Sequence, residues 1–422
     1  MFLAVSLWGA WFTWNMFRPI HRHPQLAALS FFAGWLTGEL ALHHLAWQIV
    51  ATVVFAWLGA LEAWPGQLGL MITVASWAGL VISFAGARRA EHAVERALED
   101  GLGAGYQARL RDAGVEVETP QLEWRWILFP FRLAWRGVER VRNVTYATVG
   151  THALTCDVYR PGDRPTGCPV LLQVHGGGWV LGSKDEQGRP LMNRLAREGW
   201  VCVAISYRLS PRATFPDHII DVKRAIAWIR ENIEAYGGDP SFIVVTGGSA
   251  GGHLAALTAL TANEPEYQPG FERVDTRVEG CIAFYGVYDF TNRHGQYPNR
   301  GLAQLLERHV MKAAITEAPE AYDRASPLSR VHEDAPPFFV IHGDRDTLVP
   351  VADARHFVEA LRSKVRAPVL YAEIPGAQHA FEIFPSLRTA LVLQGVGRFA
   401  AWLRARARAE GSGSASAATA AS

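Results

Sequence analysis

The sequence predicts an α/β protein in which a mostly parallel central sheet is covered by helices on both faces and is preceded by transmembrane helices. Three observations lead to this prediction. From residue 140 onward, short apolar runs alternate with helical stretches, a pattern typical of strands buried on both faces of a sheet. A glycine-rich serine turn joins one of these strands to a helix. Residues 1–87, in contrast, hold only four charged side chains and eight of the 15 tryptophans.

The apolar N-terminal region is predicted to form a hairpin of two membrane-spanning helices. Residues 40–61 and 67–86 contain no Lys, Arg, Asp or Glu, and about 20 mainly apolar residues suffice to span a bilayer. Two further apolar stretches, residues 2–17 and 26–37, are shorter, and we interpret them as spans, half-spans or helices in the membrane interface. The alternative is a buried pair of core helices, which the lack of a polar helix face disfavours.

The arginines that flank the hairpin predict its orientation. Arg18 and Arg22 precede it, and Arg88 and Arg89 follow it, so the positive-inside rule places both flanks in the cytoplasm. We therefore expect a multi-pass protein of a bacterial inner membrane whose large C-terminal domain is cytoplasmic. The four cysteines are scattered and form neither metal-type pairs nor a disulfide framework, which agrees with a reducing compartment.

The chain carries no signal for nucleic-acid or metal binding. Its net charge is +1, whereas nucleic-acid-binding domains usually show a basic excess. His43 and His44 lie near the start of the first predicted span, but neighbouring helix positions point about 100° apart. This favours an interfacial polar pair over a metal or haem site.

Residues 88–139 are predicted to connect the membrane region to the globular domain. Residues 88–111 have the composition of an amphipathic helix, interrupted near Gly101 and Gly103. Aromatic residues and arginines are then interleaved over residues 122–136. We interpret this stretch as an interfacial or lid segment, and plain packing is the alternative.

The globular domain is predicted over residues 140–408. It begins with an antiparallel hairpin formed by residues 141–146 and 154–159. The apolar strands that follow are predicted at residues 170–174, 201–205, 242–245, 281–285, 338–341 and 369–374. Helices are predicted at residues 191–198, 219–236, 253–260 and 389–408. Residues 287–334 are a candidate cap, and residues 409–422 are predicted to be disordered because they offer no apolar anchor.

The turn Gly247-Gly248-Ser249-Ala250-Gly251 lies between a predicted strand and a predicted helix. Strand, Gly-x-Ser-x-Gly and helix, in this order, are typical of a turn that exposes a nucleophilic serine. Larger side chains beside the serine would collide with the strand and the helix. The hydroxyl also lies at a helix N-terminus, which favours developing negative charge. The motif alone is weak, because glycine and serine are common in ordinary turns.

A second motif, His175-Gly176-Gly177-Gly178-Trp179, follows the first of the apolar strands. Glycines in this position let backbone N–H groups point at one spot without obstruction by side chains. Together with the N–H of Ala250, such groups can stabilise the oxyanion that forms when Ser249 attacks a carbonyl. The alternative, a phosphate-binding loop, lacks the lysine and the following Ser or Thr that this function needs.

Ser249 needs a base to take its proton, and that base is expected near the end of the chain with a carboxylate at an earlier strand end. His379 follows the last predicted strand and is the candidate base. Asp344 and Asp346 both follow the strand before it. Three other histidines close to these motifs are interpreted as helix or loop residues: His218, His253 and His342.

Residues 140–405 resemble an α/β-hydrolase of the esterase and lipase group, similar to hormone-sensitive-lipase-like and feruloyl-esterase-like enzymes. The matching motifs are residues 175–179, 207–211, 238–240, 247–251 and 342–350, together with His379. The resemblance implies that Ser249 is the nucleophile, Asp346 the acid and His379 the base, while Asp344 holds the turn. It also implies an oxyanion hole, formed by the N–H groups of Gly176, Gly177 and Ala250.

Two positions depart from the pattern of the hormone-sensitive-lipase-like group. Gly248 stands where those enzymes usually carry an aspartate, and Ser210-Pro211-Arg212 stands where they often carry Ala-Pro-Glu. The apolar N-terminus also resembles that of bacterial membrane-linked esterases.

Taken together, these observations predict a membrane-anchored serine carboxylester hydrolase that acts through an acyl-enzyme on a small-molecule or lipid ester. No metal and no cofactor are expected. A serine amidase or peptidase would use the same triad. A catalytically inactive, membrane-tethered binding module would have been expected to lose motif residues, and none is missing here. A purely structural membrane protein would leave the glycine and serine motifs unexplained.

Overall fold

A computed structural model describes residues 1–114, 123–131 and 135–420 of the chain, with side chains as far as residue 410. Parts of the predicted connector and of its aromatic stretch therefore lie outside the described residues. The helices are α1 Phe2–Phe17, α2 Pro24–Glu39, α3 Ala41–Trp57, α4 Trp64–Gly86, α5 Arg89–Leu102, α6 Tyr106–Asp112, α7 Trp124–Leu128, α8 Arg189–Arg197, α9 Asp217–Asn232, α10 Ala250–Leu260, α11 Gly301–Leu305, α12 Pro319–Ala325, α13 Val351–Lys364 and α14 Leu387–Ala420.

One eight-stranded sheet forms the centre of the C-terminal domain. Its strands are β1 Val138–Val149, β2 His152–Pro161, β3 Cys168–Val174, β4 Val201–Ile205, β5 Gly238–Gly248, β6 Gly280–Phe284, β7 Phe338–Gly343 and β8 Val369–Ile374. They are arranged in the order β1-β2-β4-β3-β5-β6-β7-β8. The first two pairs, β1–β2 and β2–β4, are antiparallel, and the other pairs are parallel. The predicted antiparallel β-hairpin, now β1 and β2, and every other predicted strand are confirmed.

The sheet is buried on both faces, which explains its continuous apolar strands. All residues of β3 and β4 are buried. Neighbouring residues of β3 point to opposite sides, so that Leu172 packs with α9, α10 and α13 while Leu171 packs with α5, α8 and α14. Helix α5, predicted as part of the connector, therefore contributes to the second core layer.

The strand register brings the carboxyl ends of the parallel strands to one edge. Val174 is paired with Gly247, Gly248 with Phe284, and Gly343 with Ile374. The loops that follow β3, β5, β7 and β8 therefore open on the same side of the sheet. Ligand sites of open α/β sheets lie at this edge.

The last helix differs from its prediction. It was expected to end at residue 408, with disorder from residue 409, but α14 continues to Ala420. The extension contains no proline and is rich in alanine, the residue with the highest helix propensity, so nothing in it terminates the helix.

Among the N-terminal helices, α3 packs against α4, and α1 packs against α4 as well. Helix α1 runs along α4, and the two are joined by hydroxyl contacts: Ser6 with Thr73 at 3.0 Å, and Thr13 with Ser76 at 2.7 Å. A Cβ at Gly79 would lie 2.6 Å from a methyl group of Thr13, so this small residue permits the close approach. Ser6 precedes Thr13 along α1, and their partners Thr73 and Ser76 follow in the same order along α4, so the two helices run parallel.

Among the described residues, one helix is long and apolar enough to cross a bilayer by length and composition, the continuous stretch Trp64–Leu102. The predicted span at residues 40–61 corresponds to α3, which has 17 residues and meets α2 at a bend of 91°. The two bent helices meet the same criteria only when they are taken together. The bend occurs at Leu40, where the backbone leaves helical geometry.

Candidate active site

The serine turn has the strained geometry that its sequence predicts. Ser249 lies between β5 and α10 with φ 58° and ψ −122°, a backbone conformation that residues other than glycine rarely adopt. A Cβ at Gly247 would lie 2.5 Å from the backbone of Gly251, and one at Gly251 would lie 2.1 Å from the carbonyl oxygen of Val174. Both positions therefore require glycine. The amide of Ser249 donates to the carbonyl of Phe284 at 3.0 Å, which fixes the turn on β6.

The structure also explains the glycine that precedes the serine. A Cβ at Gly248 would lie 2.6 Å from the hydroxyl of Tyr285. The ring of Tyr285 contacts the imidazole of His379, with centroids 4.5 Å apart. Tyr285 therefore fills the space that an aspartate would need at position 248. It also links the serine turn to the loop that carries His379.

His379 and Asp346 form a buried pair at the ends of β8 and β7. The Nδ1 atom of His379 lies 2.6 Å from Oδ2 of Asp346. The other carboxylate oxygen of Asp346 accepts the backbone N–H groups of Leu348 and Val349 at 2.9 and 2.8 Å. His342 Nε2 lies 3.2 Å from Oδ2 and contributes a further contact. The predicted base and one of the two candidate acids are thus brought together.

The environment of Asp346 favours its ionised form. Burial by itself would raise the pKa of Asp346, but the attraction of His379 and the hydrogen bonds from His342 and His379 outweigh it and hold the pKa below its usual value. An ionised Asp346 fixes the Nδ1–H tautomer of His379 and leaves Nε2 free to accept a proton.

The second candidate acid, Asp344, is exposed and has a different role. Its carboxylate accepts the N–H of Gly376 at 2.7 Å, and its own N–H donates to Ile374 at 3.2 Å. Asp344 therefore holds the turns after β7 and β8 together, as predicted.

The glycine loop after β3 lies against the serine, but it differs from the prediction at one residue. A Cβ at Gly176 would lie 3.2 Å from Cβ of Ser249, so the two backbones are in contact. The N–H of Gly176, however, donates to Oε1 of Gln187 at 2.6 Å. This contact removes Gly176 from the three predicted oxyanion donors. Gln187 is eleven residues further along the chain, and nothing in the sequence marks it as a partner.

The two following glycines, Gly177 and Gly178, continue the same loop. Gly177 and Gly178 have φ values of 112° and 58°, and a Cβ at Gly177 would lie 2.0 Å from the carbonyl oxygen of Leu181. Within residues 135–420, the N–H groups of Gly177, Gly178 and Ala250 have no hydrogen-bond acceptor. Such unpaired N–H groups near a nucleophile suit an anion that forms during a reaction.

His253 and His218 have structural roles, as predicted, whereas His342, also predicted as a helix or loop residue, lies in β7 and contacts Asp346. His253 accepts a hydrogen bond from Trp179 Nε1 at 3.2 Å, and its other nitrogen lies 2.7 Å from the carbonyl of Ala325. Burial lowers the pKa of His253 to about 3. His218 lies 3.1 Å from Ser210 Oγ, and burial lowers its pKa to about 4. Both therefore remain neutral core residues.

Sequence analysis missed the helix that covers the site. Helix α2 lies over the loops after β7 and β8: Thr347 Oγ1 donates to the carbonyl of Ala27 at 3.1 Å, and Trp35 Nε1 donates to that of Ala380 at 2.8 Å. The ring of Phe31 meets the edge of His379, with centroids 6.0 Å apart. No signal in the apolar sequence of α2 distinguished this role from a membrane role.

A buried ion pair fixes the far end of α2 to the catalytic domain. Glu39 accepts a hydrogen bond from Arg388 of α14, and both side chains are almost completely buried. Ser386 Oγ also donates to Glu39, at 2.6 Å. The near end of α2 is held by Asn299, whose Nδ2 donates to the carbonyl of His21 at 2.7 Å. Asn299 belongs to the candidate cap 287–334, so the candidate cap contacts the segment that leads into α2.

The site carries no group of three or more His, Cys, Asp or Glu side chains that could hold a metal, as far as the described residues show. All four cysteines are buried and unpaired. The geometry instead combines a strained serine, a histidine–carboxylate pair and unpaired backbone N–H groups. This combination is that of an α/β-hydrolase with a serine nucleophile.

The comparisons with known proteins agree with this class. The BD-FAE family matches residues 156–361. The chain is 42% identical to the probable carboxylic ester hydrolase LipM of Mycobacterium tuberculosis, covering 94% of this chain and 92% of that protein. It is 40% identical to the esterase LipQ of the same organism, covering 90% and 86%. The structure of Thermogutta terrifontis esterase 2 phosphonylated by sarin aligns over 58% of this chain and 86% of that chain, with 28% identity and a TM-score of 0.50.

The similarity to LipM and LipQ extends over nearly the whole chain, including the N-terminal helices. The chain therefore belongs to the α/β-hydrolase esterases, in the family of these mycobacterial carboxylic ester hydrolases.

Proposed function

We propose that this protein is a serine carboxylester hydrolase in which Ser249 is the nucleophile, His379 the base and Asp346 the residue that orients the base. The observation that supports this most directly is the 2.6 Å contact between His379 Nδ1 and Asp346, and the strained backbone of Ser249 at φ 58° agrees with it. Because Nδ1 is occupied by Asp346, Nε2 is the nitrogen that takes the proton of Ser249.

The reaction follows from these positions. Ser249 Oγ attacks the ester carbonyl while His379 accepts its proton, and the ionised Asp346 stabilises the imidazolium that results. The carbonyl oxygen becomes an anion, which the N–H groups of Ala250, Gly177 and Gly178 stabilise. His379 then protonates the leaving alcohol, and water releases the acid from Ser249 by the same steps. We propose Gly178 as a donor in place of Gly176, because Gln187 occupies the N–H of Gly176.

We further propose that α1 and α4 anchor the protein in a membrane. Both helices end in arginines, Arg18 after α1 and Arg88 and Arg89 after α4, and they run parallel, so their basic ends lie on the same side. The catalytic domain reaches that side, where Arg345 donates to the carbonyl of Met16 at 2.6 Å. The positive-inside rule then supports a cytoplasmic catalytic domain.

The test of the reaction is hydrolysis of p-nitrophenyl esters by full-length protein in detergent, with Ser249→Ala prepared in parallel. We expect hydrolysis by the wild type and none above background by the variant. Covalent labelling by a fluorophosphonate should likewise require Ser249. Labelling without ester hydrolysis, together with cleavage of a matched amide, would instead assign an amidase. Absence of both would assign an inactive binding module.

The test of topology is a pair of reporters at the C-terminus, one active only in the cytoplasm and one active only outside it. We expect the cytoplasmic reporter alone to be active, and the protein to stay in the membrane fraction after alkaline carbonate extraction. Activity of the outside reporter would reverse the orientation.

A further inference from the structure

A continuous row of aromatic rings leads from His379 to the protein surface. The ring of Phe31 meets His379 at 6.0 Å and stacks on Trp35 at 5.1 Å. Trp35 stacks on Phe384 at 5.3 Å, and Phe384 meets Phe131 at 5.6 Å. Burial decreases along the row, from 8% exposure at Phe31 to 71% at Phe131. We call these four residues, Phe31, Trp35, Phe384 and Phe131, the aromatic row.

The outer end of the row lies beside the helix that we propose to cross the membrane. Phe131 belongs to the described segment that includes α7, and Trp124 at the start of α7 meets Phe84 of α4 with centroids 6.3 Å apart. Phe84 is followed within five residues by Arg88 and Arg89, which mark the end of the apolar part of α4. Phe129 and Leu128 beside the outer end are also exposed. Exposed aromatic residues beside a basic helix end are typical of a membrane interface.

The row offers apolar surface and almost no polar group. The indole nitrogen of Trp35 is already satisfied by the carbonyl of Ala380, and the other three members are phenylalanines. A polar or charged chain would lose its hydration along such a surface without gaining hydrogen bonds. A hydrocarbon chain loses nothing of this kind and gains from every methylene that it buries.

We propose that the aromatic row is the wall along which the apolar chain of an ester passes from the membrane interface to Ser249, so that the substrates are long-chain esters dissolved in a bilayer. This inference rests on the proposed serine hydrolase function. In it, Phe31 and Trp35 of α2 determine specificity, and α2 is the element that couples the membrane region to the site.

Chain-length preference tests the row. The full-length protein in detergent is compared with Phe31→Ala on p-nitrophenyl octanoate and acetate, and on octyl acetate and ethyl acetate. We expect Phe31→Ala to lower the ratio of kcat/KM for the long ester to kcat/KM for the short ester at least about tenfold, either in the p-nitrophenyl pair or in the acetate pair. Each methylene that is no longer buried changes an equilibrium about fourfold. Leu29→Ala is the matched control, because Leu29 is an apolar residue of the same helix that is 56% exposed and lies outside the aromatic row.

The role of the membrane interface is tested at the outer end of the row. Full-length protein is reconstituted in dioleoylphosphatidylcholine vesicles that contain 4-methylumbelliferyl palmitate. We expect Phe131→Ser to lower the hydrolysis rate at least about threefold. Val149→Ser is the control and should leave the rate unchanged, because Val149 is a half-buried residue at the end of the edge strand β1, outside the row and the candidate cap. Phe131 is a surface residue, so its replacement tests the proposal even if Phe31→Ala does not fold.

The outcomes separate the two proposals. Hydrolysis that persists in Ser249→Ala would overturn the proposed function itself. If Ser249→Ala is inactive but Phe31→Ala and Leu29→Ala have the same chain-length ratios, the row does not bind substrate. If Phe131→Ser and Val149→Ser hydrolyse the palmitate in vesicles equally, the substrate does not arrive along the row from the bilayer.

Discussion

The N-terminal helices and the catalytic sheet distribute their polar and apolar residues in opposite ways. In the sheet, the central strands β3 and β4 are formed of buried, almost entirely apolar residues. In α1 to α4, hydroxyl and amide side chains are buried between the helices, among them Thr13, Gln48 and Ser76. Large apolar residues face outward there, and Trp57 is 84% exposed and Val50 63% exposed. An arrangement that would be unfavourable in water is favourable in lipid, where apolar surface has no reason to be buried and small or polar residues join helices.

Helix α2 is the exception among the N-terminal helices, because its side chains pack into the core of the catalytic domain. Its Phe31 belongs to the core layer that also contains Leu171 and Phe381 of the catalytic domain. Its Glu39 forms a buried ion pair with Arg388. Although it lies in the apolar N-terminal region, α2 is thus a part of the catalytic domain. The boundary in composition near residue 87 is therefore not a boundary in packing.

The largest effect is expected from chemistry that belongs to the sheet domain alone. Asp346→Asn should lower kcat on p-nitrophenyl acetate on the order of 10⁴-fold, because the neutral amide no longer fixes the tautomer of His379. Asp344→Asn is the matched control, since Asp344 holds a turn and does not contact His379. Normal activity of Asp346→Asn would refute the triad.

The attachment of α2 to the catalytic domain is tested by its ion pair. Arg388→Met should lower the free energy of unfolding by about 3–5 kcal/mol, because it leaves the buried charge of Glu39 without an opposite charge. Urea unfolding in detergent, followed by tryptophan fluorescence, measures this. The control is Arg366→Met, since Arg366 pairs with Glu333 at the exposed surface, where a pair contributes about 0–1 kcal/mol.

Equal effects of the two arginine substitutions would mean that α2 is not part of the cooperative unit. Adding Glu39→Gln to Arg388→Met should recover part of the lost stability, because the uncompensated charge is then removed.

A buried acid close to the site should make the stability of the catalytic domain depend on pH. Glu382 hydrogen-bonds the hydroxyl of Tyr285, and burial raises the pKa of Glu382 to about 7. Its folded pKa exceeds its unfolded value of about 4.3, so the folded state holds the proton more tightly and stability falls as the pH rises between these values. Glu382→Gln should flatten this part of the profile by on the order of 1–3 kcal/mol.

The measurement is the free energy of unfolding by urea, determined from pH 4.5 to 7.5 for the wild type and for Glu382→Gln and then subtracted. The difference is needed because buried histidines with lowered pKa values, such as His175 and His253, contribute with the opposite sign. A constant difference across the range would contradict the assignment.

The smallest effect is expected between the N-terminal helices α1 and α4. Thr13→Val removes the hydroxyl contact with Ser76 and should cost about 0.6 kcal/mol, because helices in lipid find alternative partners for such groups. Thr246→Val in β5 removes a comparable buried hydrogen bond, to the carbonyl of Ile282 at 2.8 Å, and should cost about 1–3 kcal/mol. Denaturant unfolding of the wild type and both variants measures the two losses in the free energy of unfolding. A larger cost for Thr13→Val would indicate that the N-terminal helices fold as a water-excluded core.

The sequence by itself determined the strands and the serine turn, and it offered His379 as the base with two candidate aspartates, Asp344 and Asp346. Apolar runs specify buried strands, and the parallel register brings strand ends to one edge. The glycines at 247 and 251 are typical of a sharp turn between a strand and a helix. Only the tertiary structure decided that Gln187 occupies the N–H of Gly176 and that Tyr285 excludes a side chain at position 248. It also decided that α2 covers His379. Contacts between residues hundreds of positions apart depend on shape and pairing, and an apolar helix has the same composition whether it faces lipid or an active site.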